Sequence, residues 1–249
     1  MAVMDEFKEE REQIKHQPLK KRLAYFWNYY KWFVLGGIFI LIVGLMIYKD
    51  FSEKKEDALY GIIVNGYSLS DEEPLAAAFE EYAGIDTTKY SVSFNSSLHI
   101  NETMDESGIM SGEFITVYMA AGDLDVAAMN PENFQKYAYA EGFLNLADYL
   151  DASLLEQLSD RLYYMDYALV KEVDRLNEQN LSMDSLVFPD PKKPEEMAEP
   201  IPVGIDLTDC TKFTDAYYYE EKTAYLGMVA TSKSPDMAVK FIEFLFAEK

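Results

Sequence analysis

Residues 58–249 of this chain hold 35 Asp and Glu, but one histidine, His99, and one cysteine, Cys210. That inventory limits the chemistry. A serine hydrolase needs a base beside a strained nucleophile, so any Ser-His-acid set there would have to use His99, and no GxSxG turn is present. His99 follows an apolar run and reads as an ordinary polar loop residue. Zinc needs four ligands drawn mainly from Cys and His, and one of each falls short. No EF-hand spacing occurs, and Asp123-Leu124-Asp125 is only two acids at a strand edge. The loop that cradles phosphates, GxxxxGK[ST], is missing, and Asn65-Gly66-Tyr67-Ser68 is too glycine-poor to replace it. Paired carboxylates for glycoside cleavage agree with the acid count, yet nothing singles out a pair. No enzymatic activity, metal or cofactor is therefore expected.

Polar residues at the ends of apolar runs offer a different chemistry, reversible binding. Asn65, Tyr67 and Ser68 follow Leu59–Val64; Asn95, Ser96 and Ser97 follow Tyr90–Phe94; Asn130 follows Asp125–Met129. In open parallel sheets ligands sit beyond the carboxyl ends of the strands, among free amides and hydroxyls. Those seven residues are thus a candidate binding set for a neutral polar solute. Tyr218 joins them as the centre of Tyr217–Tyr219, the one dense aromatic cluster late in the chain, where a ring would stack on a sugar face. The alternative is that Asn, Ser and Gly end strands for turn geometry alone, and that the tyrosines line a core.

Such a set needs a sheet to hold it. Leu59–Val64, Tyr90–Phe94 and Asp125–Met129 alternate with helical stretches at PLAAAFEEYAG, Glu102–Ala121 and NPENFQKYAYAEG. Gly84 ends the first helix, and Asn130 with Pro131 opens the third, Asn130 as its cap. The order β-α-β-α-β-α implies a parallel sheet covered on both faces, with the first strand between the other two. Further on, FLNLADYLD-ASLLEQLSDRL reads as helical turns, YYMDYALVKEVDRLNEQ as a helix, and MDSLVFPDPKKPEEMAEP as an acidic, Pro-rich loop. PVGIDLTD and TAYLGMVAT read as strands. SPDMAVKFIEFLFAEK closes as an amphipathic helix, with Ser234 as cap and with Met237, Phe241, Phe244 and Leu245 on one buried face.

Two of these segments carry a family resemblance. Gly122-Asp123-Leu124-Asp125-Val126, continuing as AAMNPENFQKYAYAEGFLNLADYL, resembles the "GDxDV" strand, "pexFxxya" helix and "GxLxDLxxyL" run of extracellular solute-binding proteins of ABC importers. The closing TAYLGMVATSKSPDMAVKFIEFLF is similar to the final strand, "SK-xP" and "AxKFixFL" helix of those proteins. Together the two segments cover roughly fifty residues. The resemblance implies an α/β, periplasmic-binding-protein-like fold with a parallel sheet and flanking helices. It also implies non-enzymatic capture of a small solute and an ABC permease, or another membrane protein, as partner. Only residues 144–200 separate the two segments, so 58–143 plus 201–249 would form a main lobe and 144–200 a reduced second lobe. A relative shortened in this way is also compatible with a ligand-free interaction or assembly domain on the cell surface.

The chain carries its own membrane signal. Trp32–Tyr48 is free of charge, and as a helix it makes a rod of about 25 Å, near the lower limit for a bilayer core. Seven Lys and Arg lie in residues 1–31, whereas Lys49, Lys54 and Lys55 are interleaved with Asp50, Glu53, Glu56 and Asp57. The basic flank stays in the cytoplasm. Residues 1–31 are therefore expected as a cytoplasmic arm, 32–48 as a transmembrane helix in the lipid bilayer, 49–57 as a charged spacer, and 58–249 as the extracellular domain. Tyr25, Phe26, Trp27, Tyr29 and Tyr30 beside Lys20, Lys21 and Arg22 suit the headgroup layer; a docking site for a cytoplasmic protein is the alternative. A cleaved signal peptide competes with the anchor, but the exit, MIYKDFSEK, lacks a small-residue cleavage site. One cysteine permits no internal disulfide, which suits an exported domain stabilised by burial alone. The 12 Lys and Arg of residues 58–249 leave that region at −23, so phosphate backbones are repelled and no nucleic-acid partner is expected. On intact, wall-stripped cells an added protease should digest 50–249 and spare 1–31. Recovery of a shortened chain from the medium would refute the uncleaved anchor.

Overall fold

The computed structural model of this chain describes residues 18–53, 55–70, 73–100, 106–179 and 186–247. The arm before Pro18, the expected start of a helix at Glu102 and the head of the Pro-rich loop at Met183 lie outside those residues. Two compact units result, Met1–Lys54 and Lys55–Lys249.

In the first unit a single helix, α1, runs over Leu19–Glu53. Its window Tyr30–Ile47 has a mean hydropathy of 2.1, and none of it is buried within the chain. Trp32, Phe33 and Ile40 are 72%, 79% and 72% exposed. By length and composition this helix can cross a membrane. It overruns the apolar stretch at both ends: Lys49–Glu53, expected as spacer, continue the helix because neither Pro nor Gly follows Gly44 to stop it.

The second unit is a mixed α/β domain. Its strands are β1 (Glu56–Val64), β2 (Tyr67–Ser68), β3 (Tyr90–Asn95), β4 (Val126–Met129), β5 (Leu162–Asp166), β6 (Pro200–Asp206), β7 (Tyr217–Tyr218) and β8 (Tyr225–Met228). Its helices are α2 (Pro74–Ala83), α3 (Glu106–Ala121), α4 (Pro131–Tyr139), α5 (Ala152–Gln157), α6 (Val170–Glu178), α7 (Thr211–Thr214) and α8 (Pro235–Phe246). Six strands form one sheet in the order β3-β1-β4-β8-β6-β5, while β2 and β7 pair as a separate ribbon. As expected, β1 lies between β3 and β4 and is parallel to both. The other half departs from the parallel expectation. β8 is antiparallel to β4 and to β6, and β5 is antiparallel to β6, so four of the six strands share one direction. A parallel neighbour needs a crossover of a dozen or more residues, usually helical. Between β6 and β8 only the four-residue α7 and the β7 ribbon intervene, and the chain returns antiparallel.

One further correction concerns the middle of the chain. Tyr163–Asp166, read from sequence as the start of a helix, are strand β5, and the helix begins at Val170. The aromatic Tyr163-Tyr164 pair fits a pleated surface, and β6 supplies the partner that local sequence does not show. Segment 144–200, expected as a reduced second lobe, contributes its β5 to the same sheet and adds α6 to the layer covering it.

Burial on both faces explains why β1 is a continuous apolar run. Leu59 and Ile63 join one core with Phe79 of α2 and Phe241 and Leu245 of α8. Ile62 and Val64 join the other with Ile115 of α3, Phe134 of α4 and Val173 of α6. The expected face of α8 is there: Phe241, Phe244 and Leu245 are buried and Met237 packs partly buried beside them. Ser234 stands at the N-cap without a side-chain cap bond; its N–H goes instead to Ser232 Oγ at 3.0 Å.

The two motifs behind the resemblance meet in space. Asp125, 7% exposed, accepts the Tyr60 N–H of β1 at 2.9 Å and the Ser232 hydroxyl at 2.6 Å. Lys233 Nζ reaches Asp123 at 2.7 Å, and Thr231 donates to the Met119 carbonyl. Gly122, at φ 69°, is held there by necessity, since a Cβ would come within 2.6 Å of the Thr231 carbonyl. Losing a charged acceptor of two hydrogen bonds at such a site costs about 2–4 kcal/mol. Urea unfolding of the detergent-solubilised chain should show that loss for Asp125→Ala and only about 1 kcal/mol for Ser232→Ala; equal losses would contradict the node.

Candidate ligand-binding cleft

The register of β1 against β4 ends at Val64 opposite Met129, so the next residues, Asn65 and Asn130, emerge side by side. Asn65 sits at φ 59°, a left-handed conformation that Asn tolerates better than most residues. Its side chain is fully engaged. Nδ2 donates to the Ile100 carbonyl at 2.7 Å and to Asn130 Oδ1 at 3.2 Å, and Oδ1 accepts the Ile100 N–H at 2.7 Å. With its own N–H on Leu98 O at 3.0 Å, Asn65 ties loop 98–100 to the end of β1. Asn130 Oδ1 also accepts from Asn133 Nδ2 at 2.8 Å. Asn130 stands at the N-cap of α4, as expected, but without a side-chain cap bond: its Oδ1 serves the two asparagines instead.

The β2–β7 ribbon forms the next wall. Tyr67 pairs with Tyr218 across it, the rings stack at 5.1 Å, and His99 stacks on Tyr67 at 5.0 Å. Beneath lies Tyr219, whose hydroxyl donates to the Ala128 carbonyl of β4 at 3.0 Å. Burial pushes its pKa well above the ordinary tyrosine value, so it stays a donor. Gly66 lets these layers touch: a Cβ would lie 2.5 Å from Ile63 Cγ2 and 2.9 Å from Tyr219 Cζ.

These elements enclose a cleft of about 360 Å³ lined by Asn65, Tyr67, His99, Ile100, Asn130, Glu132, Tyr219, Glu220 and Glu221. It opens at the carboxyl ends of β1 and β4, opposite the end of β1 where the chain enters the domain. That volume lies within the range of small-molecule sites. The lining offers carboxylates, amides, an imidazole and phenol rings, and among the described residues no Ser, Thr, Cys or Lys joins them. Among the described residues no three His, Cys, Asp or Glu side chains converge closely enough to hold a metal ion.

Of the eight residues expected from sequence, Asn65, Tyr67 and Asn130 line this cleft. Tyr218 touches it only through Tyr67 and faces a smaller neighbouring pocket with Tyr217 and Phe213. Ser68 turns to the Ser70 carbonyl at 2.6 Å. Asn95 is closed on Ser97, accepting its hydroxyl at 2.6 Å, and Asn95, Ser96 and Ser97 stand outside the lining. Sequence reasoning passed over His99, Glu132, Glu220 and Glu221. The Tyr217–Glu221 run, Tyr-Tyr-Tyr-Glu-Glu, is the available signal, through its acids as well as its rings.

No protein-family model and no curated protein sequence matches this chain. Among solved structures, the chain is similar to the "substrate binding domain of putative molybdenum ABC transporter from Clostridium difficile", with 16% identity over 78% of this chain and 93% of that one and a TM-score of 0.32. A superposition that loose transfers nothing to this chain.

The closed amide of Asn65 makes it a structural residue of the cleft wall. Asn65→Ala should lose about 2–4 kcal/mol, from the left-handed backbone and the lost hydrogen bonds. Asn65→Gly, which relieves the backbone alone, should recover about 1 kcal/mol of that in urea unfolding. Identical losses would mean the left-handed conformation carries no cost.

Proposed function

We infer that this chain is a membrane-anchored binding protein whose extracytoplasmic domain captures a small polar or sugar-like solute in the cleft at the ends of β1 and β4. The observation that carries the reading is the cleft itself, built where the parallel strands end and walled by polar side chains on four separate segments. The apolar window of α1, none of it buried within the chain, supports the anchor, and the basic excess before it supports a cytoplasmic N-terminus. An importer permease or a membrane sensor is the natural recipient of the solute. A second reading, an interaction domain, is favoured by α3, where Ile109, Met110 and Val117 are exposed on one helix.

A thermal-shift screen of the detergent-solubilised chain against sugars, amino acids, amines and small acids tests the first reading. A ligand at 100 times its Kd adds about 2.7 kcal/mol, which for a domain of this size raises Tm by roughly 5–11 °C. Glu221→Lys, at the cleft rim, should remove that shift with little change in the ligand-free Tm. A shift that survives this substitution would move the site elsewhere, and a screen without any shift would favour the interaction reading.

A further inference from the structure

Resting on the reading of the cleft as a binding site, we propose that its ligand is a small organic cation carrying ammonium groups. The charges stand on different segments: Glu132 in the first turn of α4, and Glu220 and Glu221 in the turn between β7 and β8. No Lys or Arg lines the cleft, and none of these three glutamates takes part in an ion pair among the described residues. The wall is more than an acidic surface. Asn130 is 5% exposed and lines the cleft, where its Nδ2 makes one long bond of 3.4 Å to Glu221 Oε1. That geometry leaves Glu221 able to exchange a weak neutral donor for an ammonium group, whose charge-assisted bond is about twice as strong.

Two alternatives are excluded by magnitude and geometry. An anion would gain from the N-terminus of α4, but that end carries about half a positive charge against three carboxylates. A bare metal ion needs ligands that converge, and among the described residues the lining carboxylates and His99 do not. Carboxylates on separate segments instead suit a cation with a carbon body, its charges near the walls and its chain along the Tyr67–His99 stack. The formal −23 of residues 58–249 concentrates cations near the domain and speeds their entry.

The test is calorimetric titration of the solubilised full chain with butane-1,4-diamine, butane-1,4-diol and butanedioate, which share a carbon chain and differ in charge. The diamine should bind saturably with one site, and the diol and the diacid at least tenfold more weakly. Glu220→Gln with Glu221→Gln should weaken the diamine tenfold or more. Glu195→Gln with Glu196→Gln, acidic residues on a separate loop, should leave it unchanged. Equal loss in both double variants would reveal adsorption to a polyanion and overturn the proposal. Preference for the diol or the diacid, abolished by Glu221→Lys, would overturn the cation while keeping the cleft as the site. No saturable binding of any of the three would overturn the cation, and the screen above would then decide the cleft.

Discussion

The carboxylate of Asp125 is the constraint on which the rest of the domain depends. It grips the Tyr60 N–H of β1 and the Ser232 hydroxyl ahead of α8, so one buried charge locks the edge of β4 to β1 and to the closing helix. Four residue pairs later, from Gly61–Val126 to Val64–Met129, the same register delivers Asn65 and Asn130 beside each other. A slip of one residue would turn every side chain of β4 to the opposite face and part the two asparagines. The cleft is thus positioned by an interaction at the far end of a four-residue ladder. The motif that carries the family resemblance thus sets this register and also brings Asn130 and Glu132 to the cleft wall.

How much of this was legible depended on whether a feature was local. The β3-β1-β4 order followed from alternating apolar runs and helices, because right-handed crossovers leave few arrangements. The buried face of α8 followed from its 3.6-residue spacing. Strand β5 did not, since Tyr163–Asp166 adopt an extended conformation by pairing with Pro200–Gly204, more than thirty residues away. At the cleft, strand ends pointed to Asn65 and Asn130, yet composition does not show which amides are already engaged. Asn65 looked free in sequence and is closed on Ile100. His99 looked incidental and is brought to the cleft by that same closure.

Hydropathy and charge divide the two units. α1 offers an apolar surface that only lipid or protein can cover, while the second unit carries the acidic surplus that keeps it hydrated. Buried tyrosines stabilise the acidic body from within. Tyr163 and Tyr225 pack edge to face at 4.8 Å around Phe134, so the domain holds together without disulfides.

The central claim is that the ends of β1 and β4 form a discrete ligand site. Transverse-relaxation-optimised NMR of the side-chain amides and backbone during a titration with butane-1,4-diamine addresses it most directly. Saturable shifts at the Asn130 side chain and at the Glu220 and Glu221 amides, with Arg175 on α6 unmoved, are the predicted result. Small, non-saturating shifts spread over acidic residues throughout the domain would contradict it.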